Sequence, residues 1–65
     1  MTTQEIHDGR AYYAAYIPGP HGGVCITRKR GTGGVLIRDN KEWLDAFLDE
    51  DFDTREALCR AALNS

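Results

Sequence analysis

With 65 residues, 42% hydrophobic and 28% charged, the chain has room for one domain around one core and is too polar to hide a transmembrane segment. A domain this short buries only about 60% of the surface its unfolded form exposes, so its stability is marginal, and it is expected to be a monomer or a weak homodimer. Two cysteines are too few for a disulfide scaffold, and the N-terminus carries neither a basic leader nor an apolar run; a cytosolic protein with reduced thiols is expected.

In chain order, residues 1–9 read as a flexible polar lead-in. Residues 11–38 read as a β-meander. Ala11 to Ile17, with Tyr12, Tyr13, Tyr16 and Ile17, is β-prone and stops at Pro18-Gly19-Pro20. Val24 to Lys29 alternates, with Val24, Ile26 and Arg28 on one face and Cys25, Thr27 and Lys29 on the other. Val35 to Arg38 is a further short strand, and Arg30-Gly31-Thr32-Gly33-Gly34 between the two reads as a hairpin, since glycine tolerates the positive φ of tight reversals.

After Arg38 the period changes from 2 to about 3.6, and residues 40–64 read as helical. Asp39 and Glu42 have the spacing of a capping box, and Trp43, Leu44, Phe47 and Leu48 then fall within an arc of about 140°. Trp43 and Phe47 are read as core. A second box, Asp53-Thr54-Arg55-Glu56, precedes a seam of Leu58, Ala61 and Ala62, with Asp49 to Asp53 as a break between two helices. The predicted fold is α+β: a three-stranded antiparallel meander followed by two short helices packed on one face.

The net charge of −2 hides an asymmetry. Residues 1–38 set Arg10, Arg28, Lys29, Arg30 and Arg38 against only Glu5 and Asp8. Residues 39–56 set eight carboxylates against only Lys41 and Arg55. Helix starts account for Asp39, Asp53 and Glu56, which leaves Glu42, Asp45, Asp49, Glu50 and Asp51 as the candidate partner-binding surface. Glu42, Asp45 and Asp49, three and four residues apart, stand about 5–6 Å from neighbour to neighbour and approximate a row of phosphates. A protein that grips DNA with Lys and Arg would accept such a row. The competing account is an ordinary solvated helix exterior, although surfaces normally intersperse both signs.

Arg28, Lys29 and Arg30 form a possible second, basic contact, with Tyr12, Tyr13 and Tyr16 as stacking faces, but a pI near 5.5 argues against general nucleic-acid affinity. Asp49 to Asp53 lacks the Asp-x-Asp-x-Asp-Gly pattern of a calcium loop. His7, His21, Cys25 and Cys59 have no Cys-x-x-Cys or His-x-x-x-His spacing, and the cysteines read as small apolar residues. No catalytic residue, metal or cofactor is expected, and a chain this small hardly encloses a reactive cleft.

On its acidic residues Glu42, Asp45, Asp49, Glu50, Asp51 and Asp53, the chain resembles in kind the small phage-encoded anti-CRISPR proteins. Several of those are single α+β domains that bind a subunit of the CRISPR surveillance complex, and some present carboxylates that mimic target DNA. The resemblance implies a non-enzymatic inhibitor whose partner is a nucleic-acid-binding protein such as a Cascade subunit, with no direct nucleic-acid or membrane binding. A second resemblance is to HicB-type antitoxins, on the strands followed by Asp53-Thr54-Arg55-Glu56-Ala57-Leu58 and Ala61-Ala62-Leu63. It implies neutralising a partner by covering its surface.

Overall fold

In the computed structural model, which describes residues 3–38 and 41–64, four strands are followed by two helices: β1 (Gln4–Asp8), β2 (Tyr12–Ile17), β3 (Gly23–Arg28), β4 (Gly34–Arg38), α1 (Lys41–Leu48) and α2 (Phe52–Asn64). The strands form one antiparallel sheet in the order β1-β2-β3-β4, a meander of one strand more than the sequence predicts. The α+β class and the three later strands agree with the expectation. The lead-in does not, because residues 4–8 are an edge strand. Its pairing, Gln4 with Tyr16 and Glu5 with Ala15, slips at a bulge before His7 meets Ala14. Ile6 and His7 are consecutive and both buried, so the two-residue alternation by which a strand is read breaks at this point.

Register sorts the sheet into two faces. Tyr12 pairs with Arg28, Ala14 with Ile26 and Tyr16 with Val24, and the last two rows continue to Val35 and Ile37 of β4. This face meets the helices. The core is Ile6, Ala14, Val24, Ile26, Phe47 and Cys59, with Trp43, Leu44, Leu58, Ala62 and Leu63 packed against it. Phe47 is fully buried and stacks on Trp43 at 5.0 Å, as their helical spacing predicts. Leu48, placed in the same apolar arc, is instead exposed, since α1 ends there. On α2 the buried centre is Cys59, flanked by Leu58 and Ala62, whereas Ala61 faces solvent. Cys25, paired with Ala15 and Leu36, lies on the opposite face of the sheet from Cys59. No helix among the described residues is long and apolar enough to cross a membrane.

Candidate functional site

The acidic stretch divides by what each carboxylate touches. Glu42 and Asp45 on α1, and Asp49 and Glu50 just beyond it, are all exposed. The Asp49 amide donates to Asp45 O at 3.2 Å, so Asp49 stays one helical turn above Asp45 although α1 has ended. Among the described residues no ion pair engages any of these four. Asp51, expected in the same free set, is the N-cap of α2: its Oδ1 accepts the Thr54 amide at 2.8 Å. Hydrogen bonding from the Thr54 side chain, and then from the Thr54 amide, holds its pKa below the ordinary carboxylate value. The predicted box on Asp53 is thereby displaced, and Asp53 lies 3.8 Å from Arg10 in an exposed pair. Asp39 lies outside the described residues.

Glu56 departs furthest from its expected role. Its side chain leaves the helix start and reaches the β1–β2 turn, where Oε1 accepts His7 Nε2 at 2.9 Å and Oε2 accepts the amides of Arg10 at 2.9 Å and Ala11 at 2.8 Å. Three donors at the turn outcompete the single amide that a capping box would offer. Burial works against the charged form, yet the hydrogen bonds from His7, Ala11 and Arg10, with the His7 charge, outweigh it and hold the Glu56 pKa below its ordinary value. Gly9 packs so close that a Cβ there would collide with Glu56 Oε1 and His7 Nε2. His7, read as part of a polar tail, is 4% exposed and sits edge-on to Phe47 and against Phe52. Arg55 ties the same corner together. It donates to Phe47 O at 3.1 Å and Leu48 O at 2.6 Å, which caps α1, and to Ile6 O at 3.3 Å on β1.

The basic tip also divides. In a meander the β1–β2 and β3–β4 turns lie at the same end of the sheet. There Arg28 and Arg30 join Arg10, Ala11 and Tyr12 in lining a cleft of about 430 Å³. Lys29 points to the other face and pairs with Asp8. Arg38 pairs with Gly23 at the far end. Among the described residues Arg28, Lys29 and Arg30 form no ion pair with Asp49 to Asp53, whereas Arg10 at the same end pairs with Asp53. Tyr12 and Tyr16 pack against the core and Tyr13 lies on the open face, so the three do not form one stacking platform. Arg10 escapes sequence reasoning because its partners in the cleft appear only once residues 4–8 are known to be a strand. A second cleft, about 350 Å³ at the opposite end, is walled by Tyr16, Val24, Ile37 and Leu44, with Lys41 at its edge.

The histidines and cysteines are dispersed. His7 and Cys59 are buried, Cys25 is half-buried and His21 is exposed in the β2–β3 loop. Among the described residues no three His, Cys, Asp or Glu side chains come together as a metal site. Burial, with the Glu56 charge nearby, pushes the Cys59 thiol up to about 11, the behaviour of a core residue and not of a nucleophile. No family model, curated protein or solved structure matches the chain.

Proposed function

We propose that the domain acts by binding: the face formed by Glu42, Asp45, Asp49 and Glu50 occupies the basic, DNA-binding surface of a larger protein and blocks target DNA. This is the manner of the small anti-CRISPR proteins it resembles, with a CRISPR surveillance-complex subunit as the partner. One observation carries the reading. Asp51, Asp53 and Glu56 each have an internal partner, whereas these four carboxylates are exposed and engaged in no ion pair among the described residues. Like charges at helical spacing cost about 0.2–0.5 kcal/mol per pair, and a row of Lys and Arg on a partner turns that cost into attraction.

The test is DNA binding by the surveillance complex with and without the domain, repeated after Glu42, Asp45 and Asp49 are all changed to Lys. The parent is expected to inhibit, less strongly as salt rises, and the triple variant to lose inhibition. Undiminished inhibition by the triple variant overturns the mimicry.

A further inference from the structure

We propose that the cleft between the β1–β2 and β3–β4 turns binds a compact polyphosphate, the di- or triphosphate of a nucleoside being the occupant that suits it. Three of its five lining residues are arginines, Arg10, Arg28 and Arg30, and none is acidic. Three arginines line one concavity, and an oxyanion held there would offset their like charge while suiting the planar donor fork of each. About 430 Å³ falls within the range of small-molecule sites, and Tyr12 supplies an aromatic wall beside the cations.

The arginines stand on backbone that the fold holds in place. Arg10 follows Gly9 in the turn whose amides Glu56 grips, and Tyr12 begins β2 directly beyond it. Arg28, opposite Tyr12 in register, donates to Thr32 O at 3.5 Å, and its Nη1 lies where a Cβ on Gly33 would stand only 3.1 Å away. Arg10 has competing partners in the Phe52 ring, whose centroid lies 5.5 Å from its Cζ, and in Asp53, but the ion pair, at 3.8 Å and with both side chains at least 80% exposed, yields readily to a ligand phosphate. The same geometry argues against an extended strand. Asp53 stands beside Arg10 and the chain is net negative, so successive phosphates leaving the cleft would meet carboxylates, whereas a compact polyphosphate keeps its charge among the arginines.

The experiment is titration of the ¹⁵N-labelled full chain at low salt, followed by amide NMR, with inorganic tripolyphosphate, with ATP and with a single-stranded oligonucleotide. Saturable shifts confined to Arg10, Ala11, Tyr12, Arg28 and Arg30 are expected with the first two, and tighter binding of ATP than of tripolyphosphate would show that the nucleoside is also held. Arg28→Ala and Arg30→Ala are each expected to weaken binding about tenfold, and Lys29→Ala to leave it unchanged. Arg30 is exposed, so its variant keeps the fold, and the same spectra report folding for every variant. Three results overturn the proposal: no saturable shift with tripolyphosphate or ATP, equal binding by the Arg28→Ala/Arg30→Ala double variant, or binding of the oligonucleotide alone. The residues are not those of the acidic face, so this proposal and the inhibitor reading fail independently.

Discussion

Two charged regions of this small domain behave in opposite ways. At the β1–β2 turn, charge is spent internally: Glu56 holds two turn amides and His7, Arg55 holds three carbonyls, and Asp8 holds Lys29. On the outer side of α1, Glu42, Asp45, Asp49 and Glu50 hold no ion-pair partner among the described residues. The sequence displays both as acidic or mixed runs. The difference shows that charge density alone does not tell which carboxylates the fold uses, and it is the unused ones on which the proposed binding rests. Substitutions at the turn should therefore lower stability, and substitutions on α1 should change binding and little else.

The largest effect is expected at Glu56. Glu56→Ala removes three charge-assisted hydrogen bonds and leaves a buried His7 ring nitrogen without its acceptor, a loss of about 2–4 kcal/mol. A domain with roughly 3–5 kcal/mol of core stability is left barely folded by that, which urea unfolding followed by circular dichroism would show directly. Gly9→Ala should approach the same loss by forcing Glu56 and His7 aside. Acid should do so reversibly. The folded-state pKa of Glu56 is depressed, so its contribution is fully present above the ordinary value of 4.5 and is lost as pH falls through the lower folded value. Melting temperatures recorded through that acid range should drop less steeply for Glu56→Gln than for the parent. Next comes Arg55→Ala, which releases the last carbonyls of α1 and the Ile6 carbonyl on β1 at a loss of about 1.5–3 kcal/mol in the same assay.

The same contrast explains what was legible in the sequence. Strands β2, β3 and β4 and both helices follow from local signals: tyrosines and β-branched residues at period 2, glycines at the hairpin, Trp43 and Phe47 at helical spacing. Gly31 and Gly33 do take the positive φ that the hairpin asks for. Strand β1 is illegible because its bulge places Ile6 and His7, one apolar and one titratable, side by side in the interior. The roles of Glu56 and Arg55 are illegible for a different reason. The partners of Glu56, and the Ile6 carbonyl that Arg55 holds, lie 45 to 49 residues away in β1 and its turn, and no local pattern encodes a contact of that range. Asp51 was within reach, because an Asp three residues before Thr54 fits an N-cap as well as Asp53 fits a capping box. The choice between them rests on whether Phe52 joins the helix, and it does so by packing against His7.

A smaller effect is expected at that cap. Asp51→Ala should lower the melting temperature, by less than Arg55→Ala, because the Thr54 amide it abandons is open to water. Asp51→Asn should retain most of the stability, since an amide oxygen caps as well. If Asp51→Ala abolished inhibition while Asp51→Asn preserved it, the position would serve the partner through the order of the helix start and not through its charge.

The smallest stability change belongs to the α1 stripe, and its sign should vary along the helix. Glu42 lies in the first turn, where the helix dipole favours a carboxylate, so Glu42→Lys should destabilise slightly. Asp49 follows the last turn, where that dipole favours a cation and α1 has no basic residue of its own, but the Arg55 guanidinium already caps its last carbonyls, so Asp49→Lys should stabilise by a smaller amount. Asp45 is midway and should be nearly neutral. The triple Lys variant combines these opposed effects and should unfold within about 0.5 kcal/mol of the parent in urea, even though it is expected to lose the proposed inhibition. A loss of several kcal/mol would mean that the stripe, like the turn, is held by partners inside the domain, and the distinction between charge used by the fold and charge offered to a partner would collapse.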